Sequence, residues 1–458
     1  MLRLAVPSIL ANITIPLVGI VDVAIIGHIS SAAAVGGIAV GTMLFDLLYW
    51  NFAFLRVGTS GMTAQAYGRG DVQEQSALLR QSLTIAFGGA VLIWLLQWFF
   101  VTLVLWLMPC SAEVADFAKR YFFVRVWAAP ATLALYALKG WFIGMQNTVA
   151  PMITDIVVNV VNMVASYVLA VYTPLGAIGV AWGTLIAQYT GLLTAGVILL
   201  ARYREHIREG FYSLCNWKST PSPLRASQSS ATIEAHWASN VPVSGGELSG
   251  TRRFFRLNTN LFLRSLAFMV IYVGYTVMMS AYGDAELAVS AILMKIFMFF
   301  SYFIDGFAYA AEALVGKEGV SASNTLWNKN ARVQACVRVL YAWGAGLGIA
   351  FTLLFGVFAS DWIALMTSDA DLQLTAQPYY IYLWLMPALS SFAFVYDGVF
   401  IGATMAVPVR NCMFYSAAAF VLTYIAAAPL MGAAAVYLAY MMHLVARTVY
   451  LAVKWAKL

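Results

Sequence analysis

One acidic residue, Asp22, lies near the middle of a long apolar stretch, MLRLAVPSILANITIPLVGIVDVAIIGHI, which begins at the first residue of the chain. An ionised side chain in the hydrocarbon core of a bilayer costs at least about 2.5 kcal/mol unless it is paired or faces a cavity. A carboxyl group in a low-dielectric cavity holds a proton more readily than one in water, and it releases the proton when water or a cation arrives. The chemistry that Asp22 predicts is therefore reversible proton binding inside the membrane.

Two prolines, Pro7 and Pro16, precede Asp22 in the same stretch. Proline has no backbone N–H, so each one leaves a carbonyl of the preceding turn without its partner and allows a membrane helix to bend. We therefore predict that Pro7 and Pro16 bend the first helix and that this bending is linked to proton binding at Asp22.

Other polar side chains also fall within apolar stretches. They are too costly to face lipid, so most must line a cavity or pair with one another, and a structural ion pair or hydrogen bond is the alternative to a functional role for each. The set comprises Asn12, Asp46, Arg56, Lys139, Asn159, Asn162, Thr184, Arg264, Lys295, Asp305, Glu312, Asp397 and Arg447. Four basic residues are expected to neutralise acids of neighbouring spans: Arg56, Lys139, Lys295 and Arg447. Two histidines are expected at the membrane interface: His28 and His443.

The composition indicates that membrane-spanning helices carry these residues. Of 458 residues, 62% are hydrophobic and 10% are charged, and the mean hydropathy is +0.80, whereas soluble domains contain about 25% charged residues. Because a helix needs about 20 apolar residues to cross a bilayer, we predict an all-α polytopic membrane protein. Twelve spans are predicted, at 4–29, 33–66, 78–108, 121–145, 152–172, 177–201, 258–281, 287–316, 334–358, 377–402, 412–430 and 433–453.

Lysine and arginine are concentrated in the loops on one side of the predicted membrane. By the positive-inside rule, this bias places both termini in the cytoplasm, and we expect a bacterial inner membrane. Residues 209–252, which are rich in Ser, Pro, Gly and Thr, are predicted to be a flexible cytoplasmic linker between an N-terminal lobe, 1–208, and a C-terminal lobe, 253–458. The net charge of +6 is explained by this topology, so nucleic-acid binding is not expected.

The sequence lacks the motifs of several other chemistries. Its four cysteines are scattered without C-x-x-C spacing, which predicts neither a disulfide framework nor a metal site. It contains no G-x-x-x-x-G-K-[ST], H-E-x-x-H or G-x-S-x-G motif. We therefore expect a protein that is not an enzyme, has no organic cofactor and does its work on an ion gradient.

The two halves of the chain resemble each other locally. KGWFIGMQNTVAP (139–151) matches DGVFIGATMAVP (397–408), and RVGTSGMTAQAYG (56–68) and DGFAYAAEALVG (305–316) each carry glycines ten residues apart. SAAAVGGIAVG (31–41) likewise resembles AELAVSAILMK (285–295). These matches predict a tandem duplication of six spans. Two copies with an even number of spans are related by a pseudo-twofold axis along the membrane normal, a plan found in transporters that work by alternating access.

Several of these segments resemble the MATE family of multidrug and toxic compound extrusion transporters, and within it the DinF-like branch. The resemblance is carried by LAVPSILANITIPLVGIVDVAIIGHI, FAFLRVGTSGMTAQAYGRGD, LKGWFIGMQNTVAPM, RLNTNLFLRSLAF, IDGFAYAAEALVGKEG and DGVFIGATMAVPVRNCM. It implies twelve helices in two lobes around a V-shaped cavity, and antiport of drugs against cations.

The resemblance also implies roles for individual residues. The first-span acid of the family, its coupling-ion site, falls on Asp22, and the polar cluster of the N-terminal lobe falls on Asn162 and Thr184. Where many members have an acid four residues after that asparagine, this chain has Ser166. This departure weakens a sodium site and favours a proton at Asp22. Asp397 takes the place of a tenth-span acid, beside Lys295 or Arg264.

The function predicted from the sequence is proton-coupled antiport that exports amphipathic, cationic small organic molecules. Sodium stays open as the coupling ion, and the protein is expected to be a monomer in the lipid bilayer. The alternative is a flippase or exporter of lipid-linked oligosaccharides from the same superfamily. This alternative would use a cationic cavity, for which the sequence offers Arg56, Lys139, Arg264 and Lys295.

Overall fold

A computed structural model of the chain describes residues 1–29, 32–107, 112–208, 250–319, 330–367 and 369–457. Within these ranges, the side chains of 15–17, 19–29, 32–37, 39, 107, 250, 251 and 284 lie outside the description. The described residues form helices and short connections, with no strand among them. The predicted all-α class is confirmed.

The described residues of the first half form eight α-helices, numbered here in chain order. Two predicted spans are divided: the second breaks at residues 51–53, between α2 and α3, and the fourth contains a 3-10 turn, Val126–Ala128, between α5 and α6. The helices are α1 Leu2–Ile29, α2 Ala32–Trp50, α3 Phe54–Arg69, α4 Val72–Leu107, α5 Ala112–Arg125, α6 Ala129–Gly144, α7 Val149–Tyr172 and α8 Ile178–Arg202.

The second half follows the same plan, with two short helices, α12 and α13, before its fourth span. Its helices are α9 Gly250–Ser280, α10 Asp284–Gly319, α11 Ala331–Val357, α12 Ala359–Met366, α13 Ala370–Ala376, α14 Tyr380–Gly402, α15 Ala406–Met431 and α16 Ala434–Ala456. Among the described residues, 10 helical segments are long and apolar enough to cross a membrane, and they coincide with the third to the twelfth predicted spans. The first two predicted spans correspond to α1 and to α2 with α3.

The chain divides into two compact units. One contains Leu10–Thr220, and the other contains Met1–Ile9 together with Pro221–Leu458. The start of α1 belongs to the second unit because it packs on α10, where a Cβ atom added to Gly306 would lie 2.4 Å from Cγ1 of Ile9 and 2.9 Å from the carbonyl oxygen of Ala5. Most of the predicted linker, 209–252, lies outside the described residues, and the predicted lobe boundaries and pseudo-twofold axis stay predictions.

The predicted internal repeat is visible in the packing of two glycines. A Cβ atom added to Gly140 of α6 would lie 2.3 Å from the carbonyl oxygen of Arg56 in α3, and one added to Gly398 of α14 would lie 2.3 Å from that of Ala308 in α10. No side chain fits at such a distance, so the same backbone contact recurs in both halves. In this contact Arg56 of the first half is equivalent to Ala308 of the second. The sequence segments instead align Gly58 with Gly306, which differs from the structural equivalence by four residues, about one helical turn.

Two turns repeat as well. Gln146, just after α6, and Thr404, just after α14, have φ of 61° and 56°, a left-handed conformation that is uncommon for residues other than glycine. Gly176 and Gly432, at the turns before α8 and α16, have φ of 53° and 57°. The tandem duplication therefore extends to unusual backbone geometry.

Candidate functional site

A line of polar residues runs along α7. Asp155, Asn159, Asn162 and Ser166 are spaced by four, three and four residues, which places them on one face of the helix. Asn159 and Asn162 were predicted as site residues, and Asp155 was missed, although an acid in the apolar stretch APMITDIVVN is the same signal that singled out Asp22. The line meets three neighbouring helices in turn.

At one end of the line, Asp155 forms an ion pair with Lys139 of α6. The two side chains are 20% and 21% exposed, so this pair retains some contact with its surroundings. The expectation that Lys139 neutralises an acid from a neighbouring span is confirmed.

In the middle of the line, Asn159 donates a hydrogen bond through Nδ2 to Oγ1 of Thr14 in α1. Thr14 in turn donates to the carbonyl oxygen of Ala11 at 2.7 Å. The helix that carries Asp22 is therefore joined to the polar face of α7.

Further along, Asn162 donates through Nδ2 to Oγ1 of Thr184 in α8, at 3.0 Å. Both residues are buried, and the sequence correctly brought them together. Two oxygens here are buried without a hydrogen-bond partner among the described residues, Oδ1 of Asn162 and Oγ of Ser166. A Cβ atom added to Gly183 would lie 2.4 Å from Oγ of Ser166, so the backbone of α8 closes directly on this serine.

The side chains of Asp22 and Pro16 lie outside the described residues, as does that of His28. The helix α1 is continuous from Leu2 to Ile29, and Pro7 and Pro16 are both within it. Asp22 follows Thr14 by eight residues, about two helical turns or 12 Å along the axis. Bending at the two prolines and proton binding at Asp22 stay predictions.

The second half holds a different arrangement around Asp397 of α14. Its Oδ2 atom accepts hydrogen bonds from Nη2 of Arg264 in α9, at 2.5 Å, and from Nη2 of Arg447 in α16. The side chains of Asp397 and Arg447 are 9% and 5% exposed. The expected neutralising role of Arg447 is confirmed, and of the two neighbours proposed for Asp397, Arg264 is correct.

Lys295 was the other proposed neighbour of Asp397, and this prediction is wrong. Gly398 packs on Ala308 of α10, and Lys295 lies thirteen residues before Ala308, about 20 Å along that helix. Lys295 is exposed and forms no ion pair with an acid among the described residues, so the expectation that it neutralises a neighbouring acid is also wrong for that part of the chain.

The remaining candidates of the second half lie elsewhere in its helices. Asp305 is half-buried, and Glu312 is buried with its carbonyl oxygen against Gly402. The prediction that His443 is interfacial is wrong: this residue is 1% exposed, in the interior of α16, and its ring meets that of Tyr440 at 4.4 Å. No cluster of three metal-ligating side chains occurs among the described residues.

Comparison with known proteins identifies the architecture. The MatE family model matches the chain twice, over residues 7–168 and 261–428. The chain belongs to the MATE family. The two matches divide between the halves, so they agree with the repeated glycine contacts and turns in showing a duplicated unit.

The DNA damage-inducible protein F of Escherichia coli (strain K12) is 33% identical to this MATE chain over 459 residues, which cover 99% of the chain and 91% of that protein. The predicted DinF-like branch is thus confirmed. A probable multidrug resistance protein NorM of Caulobacter vibrioides is 32% identical over 45% of this chain and 44% of its own length. The chloroplastic protein DETOXIFICATION 44 of Arabidopsis thaliana is 25% identical over 88% of this chain and 71% of its own length.

Solved MATE structures share the fold. A crystal structure of MATE in complex with MaL6 matches with a TM-score of 0.80 at 15% identity, covering 100% of this chain and 96% of that one. An outward-facing multidrug resistance MATE transporter of the MOP superfamily matches with a TM-score of 0.81 at 14% identity, covering 100% and 95%. The chain is therefore a multi-pass membrane protein of a multidrug efflux family, with the all-α fold that its sequence predicted.

Proposed function

We propose that the protein is a proton-coupled antiporter that exports amphipathic organic compounds with a cationic group across a bacterial inner membrane. It works as a monomer by alternating access, with both termini in the cytoplasm, and Asp22 carries the proton. The observation that carries this proposal is the polar face of α7, which is hydrogen-bonded to α1 at Thr14 and has two buried oxygens without partners among the described residues.

The level of Asp22 relative to that face follows from helix direction. Successive spans alternate in direction, so α1 and α7, the first and fifth spans, run the same way. From the contact between Thr14 and Asn159, Asp22 lies about 12 Å further along α1, and Ser166 lies about 10 Å further along α7. Residue 22 of α1 is therefore about level with Ser166 of α7, whose Oγ atom is buried without a partner among the described residues.

This placement gives protonation a structural consequence. A protonated carboxyl group at residue 22 would have an O–H donor, which Oγ of Ser166 could accept, whereas the ionised carboxylate can only accept. Loss of the proton reverses the direction of this hydrogen bond and leaves a charge in an apolar setting, so we infer that it weakens the contact of α1 with α7. We infer that the prolines of α1 convert this change into movement of the helix.

The acid of the second half is poorly suited to the same role. A carboxylate that accepts from two guanidinium groups is strongly stabilised in its ionised form. Asp397 with Arg264 and Arg447 is therefore assigned to structure and not to proton transfer. Ser166 in place of a second carboxylate also favours a proton over sodium, because a sodium site needs several oxygen ligands.

The lipid-linked oligosaccharide alternative loses part of its support. Two of the four basic residues that would make a cationic cavity, Lys139 and Arg264, are already paired with acids. We therefore retain antiport of small molecules as the proposal.

The test is efflux of a fluorescent organic cation from everted vesicles that contain wild-type protein or Asp22→Asn. We expect Asp22→Asn to fold, insert and bind the dye, because the amide imitates the protonated acid, but to lose gradient-driven transport. Asp46→Asn, which changes an acid of the next span, is the matched control and should transport. Collapsing the proton and sodium gradients separately identifies the coupling ion.

Two results would contradict the proposal. Normal transport by Asp22→Asn under a pH gradient excludes this acid as the carrier, and efflux that depends only on sodium excludes proton coupling. The orientation has its own test, because reporters fused after residue 230 and at the C-terminus should both give a cytoplasmic signal.

A further inference from the structure

Three neighbouring helices of the second half, α9, α15 and α16, contain basic residues and no acidic residue. Within one compact unit, α9 packs on α15 and α15 packs on α16. Their basic residues are Arg252, Arg253, Arg256, Arg264, Arg410, Arg447 and Lys454. Asp397 of α14 pairs with two of these, Arg264 and Arg447. The others lie near the start of α9, near the start of α15 and at the end of α16, so positive charge is concentrated at one end of the three helices.

Arg410 is held between α9 and α15 by neutral groups. Its Nη1 atom donates to Oδ1 of Asn260 in α9 at 2.7 Å, and its Nε and Nη2 atoms donate to Oδ1 of Asn411 at 3.0 and 2.7 Å. Arg410 is half-buried, and it forms no ion pair with an acid among the described residues. A guanidinium group has five N–H donors, so these three hydrogen bonds leave two for another partner. The charge of Arg410 is therefore fixed in position without being neutralised.

A second guanidinium group lies beside the first. Nδ2 of Asn260 donates to the carbonyl oxygen of Arg256, one turn earlier in α9, at 2.8 Å, and Arg256 is exposed. We call Arg256, Asn260, Arg410 and Asn411 the α9–α15 seam. Arg256 and Arg410 each lie two residues before the start of a predicted apolar span, at 258 and 412. By this measure both charges lie at the membrane surface, at the level of the phospholipid headgroups.

Apolar side chains continue from the seam along both helices. On α9, Leu263 and Val270 lie two and four turns beyond Arg256 on the same face, and they are half-buried and exposed, respectively. On α15, Phe414 lies one turn beyond Arg410 and is exposed. A ligand that matches both parts of this surface has an anionic head and apolar chains.

The repeated unit does not require this arrangement. The repeat aligns Pro151 with Pro408, which places Ile153 of the first half at the position of Arg410. Ile153 is exposed, and α7 carries an acid two residues later, Asp155, whereas α15 carries none. The seam is therefore an addition to the second half, and not part of the packing that the two halves share.

We propose that the α9–α15 seam binds an anionic phospholipid, with its phosphate on Arg256 and Arg410 and its acyl chains on the apolar surface beyond them. Arginine suits this task because its planar fork matches the oxygens of a phosphate. Basic pockets between membrane helices recognise lipid headgroups in this way. Phosphatidylglycerol fits better than phosphatidylcholine, whose quaternary ammonium group the arginines repel. The inference is independent of the coupling ion and of the exported compound.

The test compares phosphatidylglycerol with phosphatidylcholine of the same acyl chains. Binding of the first lipid to delipidated protein in a neutral detergent is measured by native mass spectrometry at an ionic strength of about 0.15 M, where exposed charges further apart than about 8 Å are largely screened. We expect the wild-type protein to bind phosphatidylglycerol about tenfold more tightly than phosphatidylcholine, because charge-assisted hydrogen bonds to the phosphate are unopposed.

Arg410→Gln should weaken binding of phosphatidylglycerol by about tenfold and Arg256→Gln by about threefold, and both should leave phosphatidylcholine within about twofold. Arg256→Gln removes an exposed side chain and keeps the test valid if Arg410→Gln disturbs the contact between α9 and α15. The matched control is Arg338→Gln, which removes an exposed arginine from α11, a helix that packs on α10 and α14 of the same unit. This control should change neither lipid.

Three results would overturn the proposal. Equal affinity of the wild-type protein for the two lipids would mean that the seam does not select an anionic headgroup. A loss with Arg338→Gln as large as with the two seam variants would show attraction to surface charge in general. Competition by glycerol phosphate at the same concentration as the lipid would identify a site for free phosphate esters, because the acyl chains would then contribute nothing.

Discussion

The two halves of this MATE chain keep the same backbone contacts and reverse the charge beside them. The residue before the closely packed glycine is Lys139 in the first half and Asp397 in the second. Lys139 pairs with one acid in α7, whereas Asp397 pairs with two arginines, in α9 and α16. The oppositely charged partner therefore comes from the fifth span in the first half, and from the first and sixth spans in the second half.

This difference shows which features a duplication preserves. A Cβ atom added to Gly140 or Gly398 would lie 2.3 Å from a carbonyl oxygen of the facing helix, so replacement is costly and the glycine is present in both copies. A charge inside a membrane only needs an opposite charge within reach, and several helices can provide it. The first half has a polar face with two buried oxygens that lack partners among the described residues, and the second half has an ion cluster that joins three of its helices.

Asp397→Asn should have the largest effect on stability. It leaves the buried guanidinium group of Arg447 and the half-buried one of Arg264 without a carboxylate, and breaking a buried pair costs about 3–5 kcal/mol. Thermal unfolding of purified protein in detergent, followed by tryptophan fluorescence, should show a strong decrease in stability. Unchanged unfolding would mean that the cluster around Asp397 is not structural.

Gly140→Ala and Gly398→Ala should be destabilising by similar amounts, about 1–3 kcal/mol, because each methyl group would overlap a carbonyl of the facing helix. Each half offers a control, Gly196→Ala in α8 and Gly346→Ala in α11, where a Cβ atom meets nothing within 4 Å. These controls should be neutral or stabilising. A large effect at only one of the two packed glycines would break the equivalence of the halves.

Asp155→Asn should cost less than the change at Asp397, about 1 kcal/mol, because the pair with Lys139 is partly exposed and water can solvate the remaining lysine. The double change Lys139→Gln with Asp155→Asn should recover most of the loss in the same unfolding measurement. A loss as large as that of Asp397→Asn would remove the proposed distinction between the two ion sites.

Thr404→Gly and Gln146→Gly should have the smallest effects, within about 1 kcal/mol, and in the stabilising direction. A left-handed backbone costs a residue with a side chain about 1–2 kcal/mol, which glycine avoids. Thr404 should gain more than Gln146 because it is β-branched. Destabilisation at both sites would show that their side-chain contacts outweigh the backbone strain.

The sequence predicted the fold more completely than the site. The spans, the duplication and the pair of Asn162 with Thr184 followed from hydropathy, from the repeated G-x-F-I-G segment and from the family resemblance. The neutralising roles of Lys139 and Arg447 followed from the cost of charge in a membrane, but their partners did not. The placements of Lys295 and His443 were wrong because the rotation of a helix and its neighbours, which the local sequence pattern does not give, determine which side chains are covered.

The sequence by itself determined that this chain spans a membrane many times, in two copies of one unit, and that certain charges must be accommodated inside. It could do so because hydrophobic length and glycine spacing are local properties, readable along the chain. Only the tertiary structure decided that Asp397 lies between Arg264 and Arg447, that α7 is joined to α1 through Asn159, and that Lys295 stands open on its helix. Those facts depend on which helices are neighbours and how each is rotated, and many arrangements of the same spans would satisfy the same local pattern.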